Sequence, residues 1–409
     1  MAQTGNADFV PLIFASDINV YSVARAFHEQ YGIVSAAIGK VVSGPVRYSS
    51  IVDYRPHPQA DSAAVLPRLV RDFAAAHSEQ RVIVLGCGDN YVRQISIAKP
   101  DFPENVVAPY LDIDELDRLA NKEHFYRLCE QAGVVYPRSF ICSGPLDDHL
   151  QLEFDAPYVV KPANSVSWWQ HPFKGQRKVH LVQMPDDLKA LLSAIYAAGY
   201  PDTMIIQEYI GGGDAALRVL TQYFDQNGVL RLSCAGQVLL EEHTAHGIGN
   251  STVILSEPHP ALAQQLAALL QNVGYRGFAA FDVKFDHRDQ CFKVLEVNTR
   301  QGRGNYYVTA AGINIARHLA EDVVYGKGLD PELEGRRACW SLLPHRVLLE
   351  AAATAGLKDD VQALKDAGQV ISPLVYAADK NLMRSFWIWK YTKRLTRNYD
   401  EWQRELADA

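Results

Sequence analysis

No stretch of the sequence is apolar over the ~20 residues a helix needs to cross a bilayer. Positive charge is also in short supply. The 40 lysines and arginines face 47 aspartates and glutamates, a net charge of −7, which argues against a dedicated nucleic-acid binder. The segment Met1 to Asp8 has neither the basic start nor the apolar core of a secretory signal, so a cytoplasmic protein is expected. The cysteines Cys87, Cys129, Cys142, Cys234, Cys291 and Cys339 include no close pair of the kind a zinc site or redox dithiol requires. Reduced, mostly buried thiols are expected instead. A G-x-G-x-x-G turn is missing too, which removes the usual fingerprint of a nicotinamide or flavin site. There is no internal repeat and no low-complexity segment.

What is present is an ordinary globular balance, 48% hydrophobic and 21% charged, over 409 residues. That length supports two or three domains. The first hundred residues alternate strand and helix signals. Phe9–Phe14 is an apolar run, Val20–Tyr31 has helical spacing closed by Gly32, and Ile33–Ile38 and Arg81–Leu85 read as further strands. Such alternation predicts a parallel sheet with helices on its faces, which binds ligands beyond the carboxyl ends of its strands. Two turns fall there, Ser16-Asp17-Ile18-Asn19 and Gly86–Asn90. Beyond a linker near Pro100–Pro109, Asn121 can cap a helix bearing Phe125, Leu128, Cys129 and Ala132 at i, i+3, i+4, i+7 spacing.

The residues with the most chemistry lie between Phe278 and Asn305. Apolar and charged residues alternate through Phe281–Asp286, and Phe292–Asn298 is the next strand. Alternation puts Glu296 and Asn298 on one face. With a three-residue hairpin loop, Asp282 would sit across from Glu296, and the two carboxylates would repel unless something positive separated them. A hard divalent cation fits, since magnesium takes one or two carboxylates and fills its shell with water and phosphate oxygens. The alternative is a solvated acidic strand face. Asn298, a neutral oxygen donor, and Arg300, a phosphate clamp, weigh against it. Lys161 closes the apolar strand Tyr158–Val160 and precedes Pro162, an awkward place for a lysine unless it meets an anion or snorkels to solvent. Met204–Ile210 is a strand running into Gly211-Gly212-Gly213-Asp214. His243 and His246 read as solvated loop histidines rather than metal ligands.

In this order, Lys122, Val160-Lys161-Pro162, Gln207–Ile210, Asp282 and Glu296-Val297-Asn298-Thr299-Arg300 resemble the ATP-grasp superfamily. A closer likeness, to the bacterial D-aspartate ligase family, runs through Ala15–Tyr21, Ala24–Phe27, Lys161–Val166, Gly247–Asn250 and Arg300–Arg303. The resemblance implies an α/β (α+β) ATP-grasp fold with four parts. These are an N-terminal parallel α/β domain (1–112), a central subdomain with a phosphate-covering loop (113–206), a C-terminal subdomain with the metal site (207–330) and a helical extension (331–409). It also implies a carboxylate–amine ligase that uses ATP and magnesium and forms an acyl phosphate. That enzyme would join D-aspartate to the diamino-acid side chain of a UDP-linked muramyl peptide. Ligases for a different amino acid or dipeptide, and a non-catalytic ATP-binding regulator, are the alternatives.

The resemblance assigns Lys122, Lys161, Gln207, Glu208, Tyr209, Ile210 and Asp214 to the nucleotide, with Lys161 and Arg300 catalytic. Asp282, Glu296 and Asn298 fall to the metal, and Arg303, Arg218, Asn250 and Asp17 to the substrate. The loop Ala163–Lys178, expected to cover the phosphates, carries Trp168, Trp169, His171 and Phe173 in place of the usual glycines. The segment Arg384–Arg397 mixes aromatic and basic residues. It reads as a packed amphipathic helix, with weak membrane-surface contact as the other reading. A monomer or homodimer is expected, without nucleic acid.

Overall fold

The computed structural model describes residues 8–146, 152–244 and 247–408. His246 lies outside them. The chain forms two compact units: Met1–Leu116, Gly213–Phe281 and Asn298–Ala409 make the first, and Asp117–Gly212 with Asp282–Val297 the second.

The first unit begins with five parallel strands, β1 (Phe9–Phe14), β2 (Ser35–Gly39), β3 (Val52–Pro56), β4 (Arg81–Gly86) and β5 (Val106–Val107), in the order β3-β2-β1-β4-β5. All of β1 is buried, as a strand covered on both faces must be. Chain direction across the sheet reverses between β1 and β4, and this switch point is where open α/β sheets receive ligands. Both turns singled out in the sequence flank it. Asp17 leaves β1 and caps the helix Ile18–Tyr31, its carboxylate accepting from the Asn19 amide at 3.0 Å. Gly32, at φ +69°, closes that helix in the left-handed region. After β4, the helix Asp89–Ala98 starts so close that a Cβ on Gly86 would stand 2.8 Å from the Val92 nitrogen.

The second unit is built on an antiparallel sheet of β6 (Ser139–Cys142), β7 (Tyr158–Pro162), β8 (His180–Val182) and β9 (Met204–Glu208), ordered β6-β9-β7-β8. Val160, Leu192, Ile195 and Ile206 form its core, and Trp168 joins them, fully buried. The aromatic loop is therefore pinned at one end. The Trp168 indole N–H donates to the Arg177 carbonyl, and Gln176 donates back to the Trp168 carbonyl. Trp169 alone of the pair faces solvent.

A seven-stranded sheet takes β10 (Leu217–Phe224), β11 (Leu230–Glu241), β12 (Ser251–Ser256), β13 (Gly277–Asp286), β14 (Cys291–Asn298), β15 (Cys339–Ser341) and β16 (Val370–Ile371) in the order β14-β13-β10-β11-β12-β15-β16. The turn between β13 and β14 is His287–Gln290, one residue longer than the loop expected from the sequence. All six cysteines are free, and only Cys291 is not buried. The chain finishes in the helix Leu382–Asp408. Among the described residues no helix is long and apolar enough to cross a membrane.

Candidate active site

In the second unit, Lys122, Lys161 and Glu296 gather around Tyr126. Lys122 opens the helix Lys122–Gln131, which Asn121 caps by accepting from the Glu123 and His124 amides. The Lys122 amide donates to the Ala163 carbonyl, so this helix start is docked on the segment that leaves β7. Its ammonium meets Glu296 at 2.9 Å. One turn along the helix, Tyr126 accepts from the Lys161 ammonium at 2.9 Å and from the Gln207 amide at 3.0 Å. It donates its own proton to the Leu295 carbonyl at 2.7 Å. A hydroxyl has one proton and two lone pairs, so this one is saturated.

Lys161 is 7% exposed. Burial, with help from the Lys122 charge, pulls its pKa down to about 7, against the opposing fields of Glu296 and Asp282. Glu296 is held well below the usual carboxylate range, first by Lys122 and then by Lys178 and Lys161, although burial opposes them. Three lysines thus stand with two carboxylates in a partly dry place, and the net charge of the cluster turns on the proton of Lys161. A buried ammonium whose hydrogen-bond partner is a neutral hydroxyl is costly by itself and suited to a polyphosphate. For a metal, Glu296 and Asn298 share a face of β14, and Asp282 lies on β13. Hard oxygen donors of this kind fit magnesium, which needs few protein carboxylates. No group of three or more histidine, cysteine or acidic side chains converges among the described residues.

Glu208 has a different surrounding from the one the sequence suggested. Its carboxylate accepts from the Arg138 amide at 2.9 Å, from the Arg138 and Arg288 guanidinium groups, and from Lys293 at 3.0 Å. Burial alone would raise its pKa, yet these donors keep it lowered. Lys293 also pairs with buried Asp286 at 2.8 Å. The Glu208 carboxylate, expected at the adenine, is here engaged by protein donors. Gln207 is likewise turned toward Tyr126 and Ser139. Ile210 is buried, while Tyr209 is exposed with Lys284 5.7 Å from its ring centre.

In the first unit, Arg300 reaches Asp89 at 2.6 Å and donates to the Asn298 amide oxygen at 3.3 Å. Asn298 in turn donates to the Ala280 carbonyl, which fixes the orientation of its amide. Arg303 lies 3.5 Å from Asp17, and Gln301 donates to the Gly86 carbonyl. The segment after β14 thereby meets both turns at the switch point of the parallel sheet. Buried Asn305, next along, donates to Asn19. Arg218 and Asp214 are elsewhere engaged. Arg218 pairs with Glu257 at 3.2 Å and donates to the Ala215 and Leu217 carbonyls. Asp214 accepts from the Glu241 amide and from His243, whose ring stacks on Trp402 at 3.7 Å. Both hold loops together here, and His243, expected as a solvated loop residue, is paired and stacked instead. Asn250 closes a turn, its amide donating to the Gly247 carbonyl.

Tyr126, Lys178, Lys293 and Asp89 are absent from the sequence-derived set. Asp89 and Lys178 lie in the turn and the loop the sequence singled out, and Tyr126 stands at i+4 from Lys122, on the same helix face.

No family model matches the chain. Among curated proteins it is 34% identical over 414 residues to a D-aspartate ligase of Enterococcus faecium (strain Aus0004), covering 98% of this chain and 97% of that one. Among solved structures, an L-amino acid ligase from Bacillus licheniformis superposes with a TM-score of 0.54 at 15% identity, over 79% of this chain and 75% of the other. The biotin carboxylase domain of the Hydrogenobacter thermophilus 2-oxoglutarate carboxylase, solved with MgADP, gives 0.57 at 13% identity, over 81% and 73%. At such identities these structures speak for the ATP-grasp fold, while the near-complete match to the Enterococcus enzyme speaks for kinship. With the ordered set from Lys122 to Arg300 on that fold, the chain belongs to the D-aspartate ligase family.

Proposed function

We propose that this ligase uses ATP and magnesium to activate a carboxylate of D-aspartate as an acyl phosphate. An amine on the side chain of a peptidoglycan stem-peptide precursor, carried by a UDP-linked muramyl peptide, then displaces the phosphate. The observation that carries the reading is the buried Lys161, hydrogen-bonded to a neutral hydroxyl in the field of two further lysines and two carboxylates. The phosphates of ATP would give that buried lysine a charged partner.

A free carboxylate does not acylate an amine, because its leaving group would be oxide. Phosphorylation provides a good leaving group, and the protein's task is then mostly positioning and charge neutralisation. Lys122 and Lys161 hold the α- and β-phosphates, and the backbone of Tyr209 and Ile210 borders the base. Magnesium, held by Asp282, Glu296 and Asn298, would neutralise phosphate charge. Arg300 steadies the transferring phosphoryl group and the acyl-phosphate oxygens. Asp17 and Arg303 form a complementary pair for an amino acid, the carboxylate for its ammonium and the guanidinium for a carboxylate. The pinned loop Ala163–Lys178 limits water that would otherwise hydrolyse the acyl phosphate. The protein works in the cytoplasm as a monomer or homodimer.

The test is ADP release measured with magnesium against a panel of D- and L-amino acids, each with UDP-linked muramyl peptides, and products identified by mass spectrometry. D-Aspartate should support turnover only when the peptide amine is also present. Coupling of another amino acid while D-aspartate stays inert would overturn the substrate assignment. No ADP release with any pair would overturn the ligase reading.

A further inference from the structure

Between Asp379 and Asp400 the chain carries six basic residues, Lys380, Arg384, Lys390, Lys393, Arg394 and Arg397, and no acidic one, although the whole chain is net −7. The C-terminal helix through this segment is anchored by its inner side. Arg384 is buried, pairs with Asp379 at 2.7 Å, donates to the Pro45 carbonyl and lies 4.1 Å from the Tyr21 ring centre. Leu395 is buried, Arg346 reaches Asp400 at 2.8 Å, and Trp402 stacks on His243. Arg384, Leu395 and Trp402 lie on the inner side of the helix, and Asp400 ends the outer line one turn beyond Arg397.

That outer side has an unusual composition. Leu382 is 90% exposed, Phe386 53% and Trp389 57%, with Met383 beside them. Their spacing, i, i+4, i+7, lines one helical face, which continues through Lys393 and Arg397. The cations stay with the aromatic rings: the Lys393 ammonium lies 5.0 Å from the Trp389 ring centre and the Lys390 ammonium 4.8 Å from that of Trp387. An exposed apolar end that grades into a basic flank suits an interface that is apolar at depth and negatively charged at its surface. A second copy of the chain would bring like charges together along this helix, which disfavours self-pairing. Crossing a bilayer is not the mode, since the helix lacks the required apolar length.

We propose that this outer face docks on an anionic lipid surface. Leu382, Met383, Phe386 and Trp389 enter the headgroup region, and Lys390, Lys393, Arg394 and Arg397 lie over the anionic headgroups. The docking is peripheral and reversible, and it is independent of the chemistry at Lys161 and Glu296.

The full-length protein would be sedimented with phosphatidylglycerol-containing vesicles and with pure phosphatidylcholine vesicles at low salt. Co-sedimentation with the first and not the second is expected, weakening as salt is added. Lys390→Gln with Lys393→Gln should lower vesicle affinity roughly thirty-fold, two surface charges being removed. Phe386→Ser with Trp389→Ser should abolish binding while leaving the circular dichroism spectrum and ADP release unchanged. No binding to anionic vesicles by the wild-type protein, or equal binding by both variants, would overturn the proposal. So would a concentration-dependent dimer that Phe386→Ser with Trp389→Ser dissociates, because the face would then be occupied by a second copy.

Discussion

Lys161 sits where a lysine costs stability unless an anion arrives. Its pKa falls from 10.5 to about 7 in the folded, ligand-free protein. Between those values the unfolded chain binds a proton that the folded chain does not, so stability rises with pH through that window. Below about 7 the cost of the buried charge is fully present. Urea midpoints should therefore move in favour of the wild type, relative to Lys161→Met, as pH is raised from neutral toward 10. A flat difference would contradict the burial argument. Nucleotide phosphates would restore the charge, so binding near pH 8 should take up a proton, detectable by calorimetry in buffers of different ionisation heats. Glu296 offers a second test at this scale. Glu296→Gln keeps the shape and removes the charge that Lys122 pairs with at 2.9 Å. Ligation should be lost, with kcat down by at least about a hundredfold, the usual scale for a lost electrostatic stabiliser, and the fold retained. Normal turnover in that variant would remove Glu296 from the metal assignment.

At the scale of elements, the end of β9 is tied to the β13–β14 hairpin by a buried ion network. Lys293 bridges Glu208 and Asp286, both almost wholly buried, and Arg138 and Arg288 close the outside. Lys293→Met would leave two carboxylates facing each other without their buried cation. The cost should be about 3–5 kcal/mol, the range for breaking a buried pair from one side. Adding Glu208→Gln should recover part of it, and urea denaturation of both variants would measure the coupling. This network also marks where sequence reading stops. Strands Phe9–Phe14 and Met204–Glu208, the Asn121 cap and the Gly32 stop were legible because their signals are local: an apolar run, a capping side chain, a left-handed glycine. Glu208 was not, since its partners Arg138 and Lys293 come from 70 and 85 residues away. A charged strand end looks the same from sequence whether it faces a ligand or a salt bridge. The pairing of Arg218 with Glu257 and of Asp214 with His243 was illegible for that reason, and the burial of Trp168 because a tryptophan in a polar loop gives no sign that it is core.

For the whole molecule, the order of motifs carried more than any single one. Lys122, Lys161, Asp282, Glu296, Asn298 and Arg300 are spread over nearly half the chain, yet the second unit gathers Lys122, Lys161, Asp282 and Glu296 into one electrostatic cluster. Asn298 and Arg300 touch each other in the first unit, close to the turns after β1 and β4. The tyrosine at the centre of the lysine cluster had no motif to announce it. The central claim is that this assembly makes an acyl phosphate, and oxygen transfer tests it without reference to any variant. D-Aspartate labelled with oxygen-18 in both carboxylates would be turned over with unlabelled ATP, magnesium and the muramyl peptide, and the phosphate released would be read by phosphorus NMR. Phosphoryl transfer from ATP to a carboxylate oxygen, followed by amine attack, leaves one labelled oxygen in each inorganic phosphate formed. Unlabelled phosphate accompanying amide formation, or label appearing in AMP, would contradict the account.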